Sequence, residues 1–224
     1  MACSIIIQST YTSTHVGLYQ DSRCIDTIPD IHQASTALIP SLDTLVTTNN
    51  ITLKTISFIG AYQGPGPFTS LRVILASVNG IAFAHNIPLI GVDGIDALLE
   101  EHTHETFSIT VALLNAYNKD AYFGIQWNGK IVRKGYDNID QLLIDIQNEF
   151  PKKQIRFIGQ GVPIFRDQIM GRLRDNAYLA PIIPESPSLD MIAQKSYKQW
   201  QEKNTANQLL PLYLKTLAYK KSIT

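Results

Sequence analysis

The sequence predicts an α/β protein made of two tandem lobes, each a mixed sheet with flanking helices. Short apolar runs separated by polar turns open the chain, and apolar residues then recur at helical spacing between further strand-like runs. A second series of strand-like runs begins near Phe107, and its Asn128-Gly129 pair is a strong hairpin signal. A meander of strands followed by alternating helices and strands therefore occurs twice.

The first lobe is expected to span residues 1–104. Its predicted elements are strands at 4–9, 14–19 and 22–28, a helix at 31–48, a strand at 55–61, a helix that begins at Pro67, a strand at 88–92 and a helix at 93–101. Pro40 is expected to kink the helix at 31–48 or to delay its start. Asp93 is expected to cap the helix that follows it.

The second lobe is expected to span residues 105–204. Its predicted elements are strands at 107–114, 121–127 and 130–134, a helix at 139–150, a strand at 155–158, a helix at 163–176, a strand at 178–183 and a helix at 188–204 that starts with a Ser188 cap. Residues 205–224 are predicted to form a C-terminal helix that packs back on the first lobe, because the apolar stretch at 209–217 is too short to stand alone.

The rest of the chain is organised around the stretch 60–92. It begins with the constrained loop Gly64-Pro65-Gly66-Pro67, and Pro67 suits the first turn of a helix. One face of that helix is an apolar stripe of Leu71, Ile74, Leu75, Val78, Ile81 and Ala82. A second stripe holds the small residues Ser70, Ala76, Ser77, Gly80 and Ala84.

Gly80 lies in the interior of this predicted helix, where glycine costs on the order of 1 kcal/mol relative to alanine. A close approach by another group would offset that cost. Two interpretations stay open: the helix is buried inside its own domain, or its own sheet covers one side and a second protein covers the other.

Composition limits the functional classes. Hydrophobic residues make up 45% of the chain, as in globular proteins, and the formal net charge is zero. A protein that binds tRNA by itself usually carries a basic excess, so autonomous RNA binding is not expected. Cys3 and Cys24 are too few for a disulfide framework or a metal cluster. The most apolar long window, 71–92, is interrupted by polar residues, so we expect no membrane span and a cytoplasmic protein.

The glycine-proline loop, the Phe68-Thr69 and Leu71-Arg72 pairs that follow it and the small-residue helix together resemble the signature of the TsaB family, also called YeaZ. His32, Leu38 and Pro40 are similar to a second family motif, and Pro211, Tyr213 and Leu214, followed by Lys215, are similar to a third. The resemblance covers nearly the whole chain.

The resemblance implies an actin-like, sugar-kinase-like ATPase fold built from ribonuclease-H-like lobes. It also implies a role in making threonylcarbamoyladenosine in tRNA, as a partner of the paralogous transferase TsaD, with the ATPase TsaE joining them and tRNA contacted only through the complex. A homodimer is expected in isolation, through the same surface. The residues assigned to that surface are His32, Leu38, Leu42, Phe68, Thr69, Arg72, Val73, Ala76, Ser77, Gly80 and Ala84, beside the motif loop Gly64, Pro65, Gly66 and Pro67.

Catalytic residues that the wider fold family uses are missing here. Gln8 stands where active members carry an aspartate for the metal, and a neutral amide does not neutralise magnesium as a carboxylate does. His32 has no second histidine four residues away, and Asn115 replaces a family aspartate. His102 and His104 invite a metal interpretation, but an exposed linker suits them better.

We therefore expect no catalytic, metal or cofactor-binding residues, with weak ATP or ADP binding at the interface with TsaD left open. The alternative is an enzyme of the same fold, either an ATP-dependent kinase or a metal-dependent peptidase.

Overall fold

A five-stranded sheet with the order β3-β2-β1-β4-β5 forms the centre of the first lobe in the computed structural model, which describes residues 1–214. Its strands are β1 (Cys3–Ser9), β2 (Thr14–Gln20), β3 (Arg23–Ile31), β4 (Phe58–Gly64) and β5 (Leu89–Asp93). The first three form an antiparallel meander, whereas β4 and β5 run parallel to β1.

The second sheet repeats this arrangement with the order β10-β9-β6-β7-β8. Its strands are β6 (Ile109–Asn115), β7 (Asp120–Trp127), β8 (Lys130–Asn138), β9 (Ile155–Ile158) and β10 (Ala177–Leu179). β6 to β8 form the meander, and β9 and β10 continue the sheet in parallel with β6. The predicted fold class is thus confirmed, and the structural repeat is clear although the sequence repeat is faint.

The helices are α1 (Ala34–Thr48), α2 (Phe68–His85), α3 (Gly94–Glu101), α4 (Ile139–Glu149), α5 (Gly161–Ile164), α6 (Arg166–Leu173) and α7 (Leu189–Gln201). Asp93, Asn138 and Ser188 cap α3, α4 and α7 by accepting hydrogen bonds from backbone N–H groups.

Alternation along the strands sorts the first sheet into two covered faces. Ile5, Ile7 and Ile59 point toward α1 and α2. Gly60 points to the other side, where α7 lies so close that a Cβ at Gly60 would be 2.3 Å from the Ser196 hydroxyl oxygen. The first lobe is therefore a three-layer unit, with α1 and α2 on one side and α7 on the other.

The position of α7 corrects the predicted lobe boundary. Residues 188–204 were assigned to the second lobe, but Met191, Ile192 and Ala193 belong to the core of the first lobe. The chain thus leaves the first lobe after α3, builds the second sheet and returns. Sequence proximity to the second lobe was misleading because the partners of α7 are β1, β4 and β5.

Three local predictions are also corrected. The third strand extends to Ile31, which pairs with Thr14, so α1 begins only at Ala34 and continues through Pro40. The helix predicted at 163–176 is broken into α5 and α6, followed by a short 3-10 turn. Residues 205–214 form an extended segment rather than a helix, and the remainder of the predicted C-terminal helix lies outside the described residues.

Candidate partner interface

Helix α2 has one face against its own sheet and one face open. Its buried residues are Leu71, Ile74, Leu75, Val78 and Ala82. On the opposite side Ala76, Gly80 and Ala84 are exposed, and Phe83 is 87% exposed. By length and composition alone, α2 meets the criteria for a membrane-spanning helix. In this structure 28% of the helix is buried. We call this uncovered side, together with the exposed side of α1, the outer face.

Within residues 1–214, no neighbouring group requires a glycine at position 80. A Cβ at this position would meet nothing within 4 Å. The interpretation that α2 is buried on all sides within its domain is therefore wrong for the side that carries Gly80. The glycine lowers helix propensity on a surface that the described chain leaves bare.

The loop before α2 is held in one conformation. Gly64 has φ +113°, which favours glycine, and a Cβ there would lie 3.0 Å from Leu71. The buried Tyr62 hydroxyl donates a hydrogen bond to the Pro65 carbonyl. Burial, with a contribution from Asp93, raises the pKa of Tyr62, so its hydroxyl stays a donor. Pro67 lies just before the helix, and its carbonyl accepts from the Leu71 N–H at 3.0 Å.

The assignments on α1 need correction. Leu38 and Leu42 were placed in the partner surface, but they are 0% and 5% exposed and pack in the core of the first lobe. The exposed apolar residue of α1 is Ile39, one position further along, at 52%. His32 is exposed but precedes α1. Helical phase is responsible: the apolar periodicity of this segment marks its inner side, not its outer side.

The other assigned residues lie along α2. Phe68, Thr69, Arg72, Ala76, Gly80 and Ala84 are exposed, whereas Val73 and Ser77 are half-buried. Ser77 donates its hydroxyl hydrogen to the Val73 carbonyl at 2.9 Å, as serines within helices often do.

A groove lies between α1 and α2. Its cavity has a volume of 540 Å³, and the floor is formed by Ile5, Ile7 and Ile59 of the sheet. Ile39 and Ile81 contribute to its walls. An apolar groove thus borders the outer face between α1 and α2.

Residues 205–214, which we call the strap, lie along the other flank of α2. Asn79 fixes the strap through two hydrogen bonds with the backbone of Leu209, at 2.9 and 2.8 Å. The Leu212 N–H donates to the Gln63 carbonyl at 2.9 Å. Arg72 Nε donates to the Tyr213 hydroxyl at 2.7 Å. The strap therefore extends the outer face sideways.

Sequence reasoning missed four exposed apolar residues of this region: Ile39, Phe83, Leu210 and Tyr213. Phe83 was detectable, because it follows Ala76 and Gly80 at seven and three residues and so shares their side of a helix. Tyr213 was not detectable as a surface neighbour of α2, because only the tertiary fold brings the strap there.

The cleft between the lobes is occupied by the chain itself. Gln8, 2% exposed, donates its amide hydrogen to the Pro187 carbonyl. The N–H of Gly159, in the turn that follows β9, donates to the Pro184 carbonyl at 2.7 Å. Residues 184–187 thus connect the end of β1 with the turn that follows β9.

Tyr11 makes a second contact across the cleft between the lobes. Its hydroxyl donates to the Asn115 carbonyl at 2.7 Å, so the β1–β2 and β6–β7 turns touch. Burial raises the pKa of Tyr11, with contributions from nearby tyrosines.

The two histidines after α3 do not converge on one point. His102 is half-buried beside Glu101, and burial lowers its pKa, whereas His104 packs edge-on against Phe107. Within residues 1–214 no three His, Cys, Asp or Glu side chains are grouped to hold a metal.

Two meander-led sheets joined in tandem, with helices on both sides of the first, define the actin-like, sugar-kinase-like ATPase fold. YeaZ from Pseudomonas aeruginosa is similar, with a TM-score of 0.72 and 19% identity over 96% of this chain and 100% of that one. Lmo2764 from Listeria monocytogenes, described as a candidate N-acetylmannosamine kinase, has a TM-score of 0.53 and 10% identity, over 89% of this chain and 100% of that one.

The family model described as TsaD, tRNA N6-adenosine threonylcarbamoyltransferase, matches residues 29–219. The chain belongs to this family, within its TsaB (YeaZ) branch. The chain is 23% identical over 185 residues to the tRNA threonylcarbamoyladenosine biosynthesis protein TsaB of Buchnera aphidicola subsp. Baizongia pistaciae, covering 79% of this chain and 81% of that protein. The TsaB of Haemophilus influenzae is 25% identical over 88 residues, 38% of this chain and 37% of that protein.

Proposed function

We propose that this protein is a non-catalytic subunit in the synthesis of tRNA N6-threonylcarbamoyladenosine, and that it binds and supports the TsaD transferase. The matching family model and the names of the curated relatives support the pathway. TsaE would join the pair, and tRNA would be contacted only through the complex, in agreement with a formal net charge of zero. The complex would work in the cytoplasm.

The observation that carries this proposal is the bare outer face of α2. Monomeric proteins rarely leave a contiguous apolar patch uncovered, and large exposed patches mark protein interfaces. Phe68 and Phe83 are 57% and 87% exposed there, and Gly80 leaves room for a second helix at the short end of the usual interaxial range of about 8–10 Å.

The contacts within the cleft between the lobes support the non-catalytic part of the proposal. Phosphoryl transfer generally needs a carboxylate that holds the metal ion and room for the phosphates beside it. Gln8 supplies an amide that is already hydrogen-bonded, and Tyr11 spans the gap to Asn115. A kinase or a metal-dependent peptidase is the second candidate, and none of the cleft contacts made by residues 1–214 favours it.

Co-purification from the organism's own cells tests the partner. The tagged wild-type chain should retain TsaD, and Gly80→Arg should lose it without any fall in its melting temperature, because a buried unpaired charge strongly opposes association. Gly171→Arg is the matched control, since Gly171 is also an exposed helical glycine with open space around it. Retention of TsaD by Gly80→Arg would exclude this face.

An ATPase assay tests the non-catalytic claim. Purified protein alone should show no magnesium-dependent ATP hydrolysis. A turnover that follows the protein through purification and disappears in Gln8→Ala would favour the enzyme alternative instead.

A further inference from the structure

Trp127 ends strand β7 in the second lobe and is 48% exposed. One edge of its indole is fixed by the protein, because its ring centroid lies 5.8 Å from that of the buried Phe150 in an edge-on contact. The rest of the indole faces solvent. An aromatic ring that is held on one side and open on the other is a preformed surface for stacking.

Three lysines surround this indole. Lys130 is the direct cross-strand partner of Trp127, so the two side chains project from the same face of the sheet with their Cβ atoms about 5 Å apart. Lys152 and Lys153 follow Phe150 in the turn that leads into β9, and the Lys153 N–H donates to the Phe150 carbonyl at 3.3 Å. All three lysines are exposed. We call Trp127, Lys130, Lys152 and Lys153 the indole patch.

The indole patch has an excess of positive charge. Within residues 1–214, none of its three ammonium groups forms an ion pair. The neighbouring Arg133 does not add to the excess, because Glu149 lies 3.2 Å from it. A chain with a formal net charge of zero therefore concentrates three positive charges around one exposed aromatic ring.

This combination of side chains is complementary to single-stranded nucleic acid. Proteins that bind single strands join cations along the phosphate backbone to aromatic rings on which bases stack. A protein partner fits less well, because the cores of protein interfaces are depleted of lysine. A membrane surface also fits less well, since binding there scales with the apolar area that inserts, and the patch offers one indole.

We propose that the indole patch contacts tRNA directly, with an unpaired base stacked on Trp127 and neighbouring phosphates held by Lys130, Lys152 and Lys153. This inference rests on the proposed function, and it assigns the second lobe a part in holding the substrate of the complex. Three phosphate contacts bind RNA weakly by themselves, so the patch contributes to an affinity that the other subunits share.

Removal of the lysines tests the phosphate contacts. In a complex reconstituted with TsaD and TsaE, the double variant Lys152→Ala with Lys153→Ala should weaken binding of an unmodified tRNA transcript at least about tenfold at about 0.1 M salt. The slope of log affinity against log salt should become shallower by about two, and by about three when Lys130→Ala is added.

Lys198→Ala with Lys203→Ala is the matched control. Both lysines are exposed and lie at the end of α7, and the change in charge is the same. Each pair also contains one lysine with positive φ, +60° at Lys152 and +58° at Lys203, so the backbone cost of the substitution is matched. The control should leave both the tRNA affinity and the salt slope unchanged.

Substitutions of Trp127 test the stacked base. Trp127→Leu keeps an apolar contact with Phe150 but removes the ring, and it should weaken tRNA binding about five- to a hundredfold without a change in the salt slope. Trp127→Phe should recover most of the affinity. If the ring served only to pack on Phe150, the leucine and phenylalanine variants would bind tRNA equally well.

Several outcomes would overturn the inference. Equal losses in the lysine variant and its control would show that only overall charge matters. Unchanged tRNA affinity combined with lost binding of TsaD or TsaE would assign the patch to a protein. Unchanged tRNA affinity combined with lost binding to vesicles that contain phosphatidylserine would assign it to a membrane.

The proposed function is scored separately, by retention of TsaD. A wild-type chain that does not retain TsaD contradicts the proposed function. Retention of TsaD with no loss of tRNA affinity in the lysine variants contradicts only the indole patch.

Discussion

Replacing Gly80 by alanine should change stability and association in opposite directions. Among the described residues the new Cβ meets nothing within 4 Å, so only helix propensity changes. The gain is about 1 kcal/mol in the free energy of unfolding. For a chain of this length that corresponds to a rise in Tm of roughly 2–4 °C.

Association should respond in the other direction. If a partner helix crosses at Gly80, an added methyl group separates the helix axes or strains the contact, at a cost of about 1–3 kcal/mol. The variant should therefore melt later as a monomer and yet bind TsaD or a second copy on the order of ten to a hundred times more weakly.

Differential scanning calorimetry and titration with TsaD measure the two effects separately. Gly171→Ala is the matched control, since Gly171 is an exposed glycine in α6 that also has nothing within 4 Å of a Cβ. It should raise Tm by a similar amount without any change in binding. A lower Tm for Gly80→Ala would refute the open face, and unchanged binding would refute a close crossing at this residue.

Further predictions concern the strap, the cleft and pH. Asn79→Ala should lower the free energy of unfolding in urea by about 1–3 kcal/mol, because it leaves the Leu209 N–H and carbonyl without partners; Asn79→Asp, which can still accept, should lose less. Gln8→Asp buries a carboxyl beside the Pro187 carbonyl, so its pKa should rise and the stability deficit relative to wild type should widen as pH increases above about 4. Burial lowers the pKa of His102, so the folded state binds fewer protons than the unfolded one; stability should decrease as pH falls below about 6.5, and less so in His102→Gln. An absence of pH dependence in both variant series would contradict the burial of these two side chains.

Local chemistry predicted much of this fold. The spacing of apolar residues identified α2, and the Asp93 and Ser188 caps marked the starts of α3 and α7, because these signals act within one helical turn. Long-range pairing was the part that failed. Ile31 looked like the start of a helix but joins β3, since Thr14 is its strand partner.

At the candidate interface, too, signals within one helix were informative and contacts that depend on the tertiary fold were not predicted. The glycine at position 80 and the small residues around it predict an interface on α2, and this stays a prediction. Leu38 and Leu42 were taken for surface residues although the sheet buries them. The spacing of apolar residues shows that a helix has an apolar side and a polar side, but it does not show which side contacts a partner. The strap was misjudged as helical because its backbone hydrogen bonds go to Gln63 and Asn79, more than a hundred residues earlier in the chain.

The return of α7 to the first lobe determines the order in which a growing chain can finish folding. Met191, Ile192 and Ala193 cover the side of the first sheet opposite α2, and Leu209 seals the flank of α2. A ribosome must therefore synthesise the whole second lobe before the first lobe has its last layer. Until then the α7 side of β1 and β4 stays exposed to solvent. A fragment that ends at residue 104 keeps that sheet face bare, whereas residues 105–185 contain all five strands of the second sheet but lack α3, which packs on β6 and β7.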